Sequence, residues 1–292
     1  MGYGQHQSFY LRDRWLNKAI RHLRDDRRFF YDKEAFEKIG LGKNMVQSLR
    51  YWTIATGVVE EIFNEDRKKE HQITKFGELI FQYDKFIKFQ DSAAIIHYHM
   101  CKQKEPSTAW YWFFNEFTST IGSKESITQE FNRWVKENEN KPFSSNSLKK
   151  DIDCLIKLYT SGQSSIDPEE VIQSPLSKIG ILEERKGIIY KQNLTISQVG
   201  LSALMYVLLD YRKTNGIDSV SVDNLVNQAG LWGNVFNMGR ASIVNALTEL
   251  SMLNQNPISF VRTNNLDLIR IPNIEPLDFL KQEYSRKAEV FI

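Results

Sequence analysis

A predominantly helical α+β protein is what this sequence predicts: a winged-helix-like unit at the N-terminus, a helical middle, and C-terminal helices interleaved with β-hairpins. Apolar residues recur at i, i+4 and i+7 in the stretches starting at Leu11, Asp91, Ser107 and Leu148, which is the helical period. A glycine-punctuated turn at Gly40 opens into an amphipathic helix and is followed by strand-like runs around a charged loop. Two later stretches of strand pattern break at Lys186-Gly187 and at Asn264-Asn265, as hairpins do. Shifts in texture divide the chain into 1–90, 91–162 and 163–292.

The first nine residues, MGYGQHQSF, are glycine-rich and polar. Next, LRDRWLNKAIRHLRDD sets Leu16, Ile20 and Leu23 on one helical face, with Trp15 and Ala19 widening it. Arg14, Lys18 and Arg21 line another face, either to hold phosphates or as a solvated face beside Asp13 and Asp25. Asp32 to Ile39 predicts a short helix with Asp32 as N-cap, stopped by Gly40. On the helix that follows, Met45, Leu49, Trp52 and Thr56 make a buried stripe; Asn44, Gln47, Ser48 and Tyr51 make a polar one suited to reading base edges. Two helices joined by a short glycine turn resemble a helix-turn-helix. The run from Gly57 through NEDRKKEH to QITKFGELIF then has the order of a wing: strand, charged loop with Arg67, Lys68 and Lys69, strand, helix. The plainer alternative is a helical hairpin and a loop that only pack.

Asp91 to Cys101 predicts a helix capped by Asp91. His97 and Cys101 share a face and would suit zinc, but no third and fourth ligand stands near, and His97 and His99 point about 200° apart. Buried polar residues are the default. In STAWYWFFNEF, Trp110, Phe113, Phe114 and Phe117 fit a core face, while Tyr111, Trp112, Asn115 and Glu116 take the other, where single-stranded bases could also stack. Helices over Ser126 to Lys136 and Leu148 to Tyr159 follow, the second carrying Asp151 and Asp153 on different faces. ENENKPFSSNS and SGQSSIDPEE read as polar linkers. Beyond them come the SPLSKIGILEERKGIIYKQN hairpin, a long helix from Ser197 to Lys213, a shorter one from Ser221 to Ala229, a helix from Arg240 to Leu253 and a hairpin from Ile258 to Ile271. Helix, helix, hairpin repeats the order of the first unit without a repeat of sequence. The charged last twenty residues are expected at the periphery.

At 292 residues, 41% hydrophobic and 25% charged, the chain has an ordinary globular composition with room for more than one domain. Its net charge of +2 creates no global field to recruit nucleic acid. Residues 10–50, however, hold eleven Lys and Arg against six Asp and Glu, a local excess larger than that of the whole chain. Two cysteines, Cys101 and Cys154, in apolar helical contexts are too few for a disulfide framework and fit a reducing cytoplasm. No leader pattern and no apolar run near the roughly 18–20 residues of a membrane span is present, so no membrane partner is expected. P-loop, dinucleotide fingerprint, G-x-S-x-G elbow and paired C-x-x-C are absent, and an enzyme would have to be argued without a motif.

Several stretches in order do carry a likeness: YGQHQSFYLRDRWLNKA, GLGKNMVQSLRYWTIATGVVE, ITKFGELIF, TAWYWFFNEF, SLKKDIDC, SPLSKIGIL and the VFNM loop. Together they resemble a bacterial family of uncharacterised-domain proteins encoded with DNA phosphorothioation and phage-defence operons, the family of the nicking component called SspB. The likeness runs from about residue 3 to about residue 270, and no single piece is a catalytic signature. Where the family shows Gly-His-Glu-Thr-Phe near its start, this chain has Gln5-His6-Gln7-Ser8-Phe9, so the acidic member is replaced by Gln7.

The resemblance implies a subunit that engages DNA and nicks one strand, alongside a cysteine desulfurase, a sulfurtransferase and an ATPase that together put sulfur in place of a non-bridging phosphate oxygen. Phosphodiester hydrolysis ordinarily uses Mg²⁺ held by carboxylates. In the matching stretches the carboxylates are Glu116, Asp151 and Asp153, with His6 as a base. DNA contacts are expected from Arg14, Lys18, Arg21, Lys43, Asn44, Gln47, Ser48, Arg50, Arg67, Lys68 and Lys69. A non-catalytic winged-helix regulator or adaptor, with Asn44, Gln47 and Ser48 reading base edges, is the alternative. Sulfur carriage on Cys101 or Cys154 is a third reading, with no cation nearby in sequence to lower either thiol.

Overall fold

A computed structural model describes residues 3–140, 143–161, 173–262 and 267–290. Helix α1 (Trp15–Asp25) buries Trp15, Leu16, Ala19, Ile20 and Leu23, the stripe its spacing predicts. A 3₁₀ turn at Phe29–Tyr31 leads into α2 (Ala35–Ile39) and α3 (Lys43–Ala55). The first of these begins three residues after Asp32, which caps nothing: its carboxylate accepts the Glu34 amide in a local turn and pairs with Lys38. Gly40, at φ 66°, closes α2 in the left-handed conformation.

Burial along α3 is wider than the expected stripe. Val46, Ser48, Leu49, Tyr51, Trp52 and Thr53 are all buried, because α1 packs on one side and the N-terminal segment covers another. Met45, expected in the core, is half-buried. Gly57 then turns the chain at φ 75°, where a side chain would also collide with the His99 ring. Strands β1 (Val59–Phe63) and β2 (Lys69–Ile73) pair antiparallel with Val59 opposite Ile73 and Phe63 opposite Lys69. Helix α4 (Lys75–Tyr83) follows, capped by the Thr74 hydroxyl accepting the Gly77 amide at 3.0 Å. The strand, charged loop, strand and helix order is the one read from sequence, but β2 starts inside the expected loop: Lys69, Glu70 and His71 are strand, paired with Phe63, Ile62 and Glu61.

The middle of the chain holds α5 (Gln90–Cys101), α6 (Thr108–Asn115), β3 (Ile121–Ser123), α7 (Lys124–Asn138) and α8 (Ser145–Thr160). After a 3₁₀ turn at Ser177–Ile179 come β4 (Leu182–Arg185) and β5 (Ile188–Lys191), turning through Lys186 and Gly187 at φ 52° and 78° as the sequence predicts. The SPLSKIG half of the expected hairpin is therefore not strand. Strand β3, too short to announce itself, adds to β5, and the sheet order is β3-β5-β4. Trp112, expected on the outer face of α6, is buried because α7 lays Phe131 against it at 4.8 Å.

The last third runs α9 (Ile196–Val199), α10 (Leu201–Asn215), β6 (Ser219–Ser221), α11 (Val222–Asn227), α12 (Trp232–Val235), α13 (Arg240–Ser251), β7 (Ser259–Arg262), β8 (Asp267–Arg270) and α14 (Pro276–Val290). Its sheet order is β6-β8-β7. The long helix expected from Ser197 breaks at Gly200 (φ 92°). Asp91 accepts the Ala203 amide at 3.0 Å, capping α10 rather than its own helix, and a side chain at Gly200 would run into that carboxylate. Most of SGQSSIDPEE and the Asn264-Asn265 turn lie outside the described residues.

The C-terminus is not peripheral. Leu280 and Tyr284 of α14 are fully buried, the helix packs on α10 and α4, the Tyr284 hydroxyl meets Ser92 at 2.8 Å, and Lys287 pairs with Asp91. Burying an apolar side chain contributes about 1.5–3 kcal/mol, so Phe279, Leu280 and Tyr284 anchor a helix whose charged outer face hid them. Buried apolar residues form one continuous core from Leu11 to Tyr284. Helix, helix and hairpin recur in order as α2-α3-β1-β2 and α7-α8-β4-β5, and α11-α12-α13-β7-β8 repeats the order with a one-turn helix inserted; the last two series have an added short strand. Among the described residues no helix is long and apolar enough to cross a membrane.

Candidate nucleic-acid interface

The segment at residues 4–9 is fastened to two helices. Gly4 donates its amide to both oxygens of Asp151 on α8 at 3.0 and 3.2 Å, and His6 donates from Nε2 to Asp151 Oδ1 at 2.7 Å. The Ser8 amide donates to His6 Nδ1 at 3.1 Å, which requires a lone pair there and places the single ring proton on Nε2. This imidazole is fully buried, within about 6 Å of the Tyr51, Trp52 and Trp110 rings. The Phe9 carbonyl accepts from the Ser48 hydroxyl at 3.2 Å and from the Trp52 indole at 2.9 Å. Reaching both helices bends the backbone into the left-handed region at Gln7 (φ 50°) and Ser8 (φ 67°), a strain that surrounding bonds must hold.

Gln5 and Gln7 stay exposed, and with Gln47 and Arg50 of α3 and Glu61 and Lys69 of the hairpin they line a groove of about 630 Å³. At its base the Glu61 carboxylate accepts from Arg50, from Lys69 at 2.5 Å and from the Tyr31 hydroxyl at 2.9 Å. Burial alone would raise the Glu61 pKa, but these three donors outweigh it and hold the group down at about 2. Arg50 Nε donates to His71 Nε2 at 3.2 Å. Burial and the Arg50 charge push His71 down to about 4, so the ring is neutral at pH 7 and accepts that bond. The arrangement leaves two cations, Arg50 and Lys69, sharing one anion at the edge of solvent.

Of the groups expected to touch DNA, Arg14 just before α1 and Arg21 on it, Lys43, Asn44 and Gln47 on α3, and Arg67, Lys68 and Lys69 in the hairpin are exposed. Lys43 lies 4.8 Å over the Phe36 ring, Lys68 stands 3.7 Å from Asp66, and Lys18 is half-buried with its ammonium at the Ile39 carbonyl. Ser48, placed on the polar stripe by its spacing, is fully buried against Phe9 and cannot reach a groove from there.

The four groups expected to carry chemistry separate into three places. His6 and Asp151 meet, and each uses up the other. Asp153 is half-exposed on α8, and Glu116 belongs to a second cavity of about 710 Å³, walled by Trp112, Phe117 and Trp134 with Glu130 and Glu137. Among the described residues no three His, Cys, Asp or Glu side chains converge as a metal site. His97, the zinc candidate, instead bonds the Tyr159 hydroxyl and the Val235 carbonyl, both at 2.6 Å. Burial drives the Cys101 and Cys154 thiols well up, which argues against sulfur carriage; Lys191 is the nearby cation for Cys101 that sequence could not show.

Sequence reading missed Tyr31, Glu61 and His71. Glu61 and His71 face each other across the hairpin register, so a wing drawn with its register would have put them together. Nothing local signals that Asp151 receives Gly4.

The family described as Protein of unknown function (DUF4007) matches residues 3–284. No curated protein matches this sequence. Among solved structures, the fold is similar to the magnesium ion-bound SspB crystal structure, with a TM-score of 0.87, 22% identity, and 98% of this chain and 87% of that chain covered. A second SspB crystal structure is similar with a TM-score of 0.86 at the same identity and coverage.

Proposed function

This chain belongs to the DUF4007 family, and from that premise we propose that it is the DNA-engaging component of a bacterial DNA phosphorothioation system. One observation carries the reading: the N-terminal segment, the exposed face of α3 and the hairpin that follows it line, with Glu105, a single groove edged by Arg50 and Lys69. Lys43, Arg14 and Arg21 extend the exposed positive charge on the same unit. Phosphate contacts from such cations position a duplex, while Asn44 and Gln47 reach toward base edges in the manner of a winged helix.

The family likeness adds nicking of one strand, in company with a desulfurase, a sulfurtransferase and an ATPase. For that step His6 and Asp151 are spent on each other, and Asp153 and Glu116 are the expected carboxylates still open to solvent. Among the described residues no three His, Cys, Asp or Glu side chains converge, and Mg²⁺ would have to be held by one or two carboxylates with its own waters. These commitments favour, as second reading, an adaptor that holds DNA while another subunit acts on it.

A supercoiled plasmid incubated with the protein in Mg²⁺, in Mn²⁺ and in EDTA decides between the two. Metal-dependent open circles, lost in Asp153→Ala or Glu116→Ala while folding persists, establish a nickase. Plasmid binding without open circles establishes the adaptor, and absence of binding removes both.

A further inference from the structure

Phe63 closes β1 and is 67% exposed, more than any other aromatic residue among those whose burial is described. A single exposed apolar residue is ordinary, but the position of this one is not arbitrary. Residues opposite each other in an antiparallel pair project on the same face, so Phe63 with Lys69 lies on the face of Glu61 with His71. That is the face bonded to Arg50 of α3. Phe63 therefore stands on the groove side of the hairpin, one register step beyond the Arg50–Glu61 contact. The Lys69 ammonium sits 5.8 Å from the ring centroid. In the adjoining loop Glu65 and Asp66 balance Arg67 and Lys68, so the hairpin end has little net charge with which to hold a backbone. What it offers is a ring.

We propose that Phe63 is a stacking side chain for an unpaired nucleobase, engaged when the strand lying along Arg50 and Lys69 is locally opened. The inference rests on the DNA-engaging reading above. A phenyl ring has no hydrogen-bonding groups and takes any base by its face, so the contact is indifferent to sequence. Lys69, which pairs with Glu61 beside both the ring and the groove, is placed to exchange that carboxylate for the phosphate of the same nucleotide. Fully paired DNA keeps its bases stacked on one another and gives the ring nothing to cover.

The test compares a fully paired duplex with the same duplex carrying a central unpaired bubble that contains 2-aminopurine. The wild-type chain is expected to bind the bubble about tenfold more tightly, within the range of one base–aromatic stack, and to quench the analogue. Phe63→Ala should lose that preference and the quench while its affinity for the paired duplex changes less than about twofold, and Phe63→Trp should keep both. A bubble preference that survives in Phe63→Ala, or a wild-type chain that binds duplex and bubble equally, overturns the stacking role alone. Failure of the wild-type chain to bind either DNA overturns the DNA-engaging reading with it.

Discussion

Gly40-Leu41-Gly42-Lys43 and Asn237-Met238-Gly239-Arg240 follow one backbone plan. Each has a residue in the left-handed region (φ 66° and 48°), an apolar residue, an extended glycine as N-cap (ψ 153° and 156°), and a cation opening the helix. Each turn joins a short helix to one whose hairpin comes next in the chain. The neighbours differ. Lys43 is exposed above a phenyl ring, whereas Arg240 is paired with Asp223 and lies 3.8 Å from Asp267. Outward from the two helices stand Asn44 and Gln47 in the first unit and Ala241, Asn245, Thr248 and Glu249 in the last. The turn follows from conformational demands that both helices share, whereas the charge beside it differs: Arg240 is held by two carboxylates and Lys43 by a ring face. The proposed engagement of DNA by the first unit therefore leans on Lys43, Arg14 and Arg21 more than on Arg50 and Lys69, which share Glu61.

The largest expected effect concerns what backs the first unit. Asp151→Ala strips the buried His6 and Gly4 donors of their acceptor, and about 2–4 kcal/mol of stability should be lost in urea unfolding. If the change instead costs only a few tenths, the clasp behind α3 is not structural.

Acid should loosen the first unit, which holds His71, and the helix α5 behind it, which holds His97 and His99. Burial pushes His71 and His97 to about 4 and His99 to about 3, against an ordinary 6.5, with Arg50 adding to the shift at His71 and Lys102 at His99. Between those values the unfolded chain binds protons that the folded chain refuses. Stability from these rings is therefore complete above pH 6.5 and is lost as pH falls, by about 1–2 kcal/mol each between about pH 7 and pH 5. Glu61, held at about 2 against 4.5, gives up its contribution only at lower pH. Urea midpoints taken across this range that stay flat would mean the three rings reach water.

The smallest effect bears most directly on the comparison. Lys43→Ala should weaken binding to all DNA sequences and lower the slope of log affinity against log salt by about one, while Arg240→Ala leaves both unchanged. Equal losses would make the last unit a second DNA site and erase the difference between the two units.

Much of this fold was legible locally. Helix α1, the start of α3 at Gly42, and the Lys186-Gly187 hairpin follow from periodicity and from residues that tolerate positive φ, and the cations of residues 10–50 are visible by counting. The candidate site was legible in its parts: Lys43, Asn44, Gln47 and the hairpin lysines are exposed where spacing puts them. Its assembly was not. Ser48 became core because Phe9 needed a donor, His6 found Asp151 across 145 residues, Asp91 capped a helix 112 residues away, and α14 closed over α4 and α10. Sequence by itself determined the elements and their outward chemistry, since period and backbone preference act over a few residues. Tertiary structure alone decided which polar groups were consumed as partners and which were left facing solvent, because a buried donor or acceptor must be satisfied by whatever the fold brings beside it.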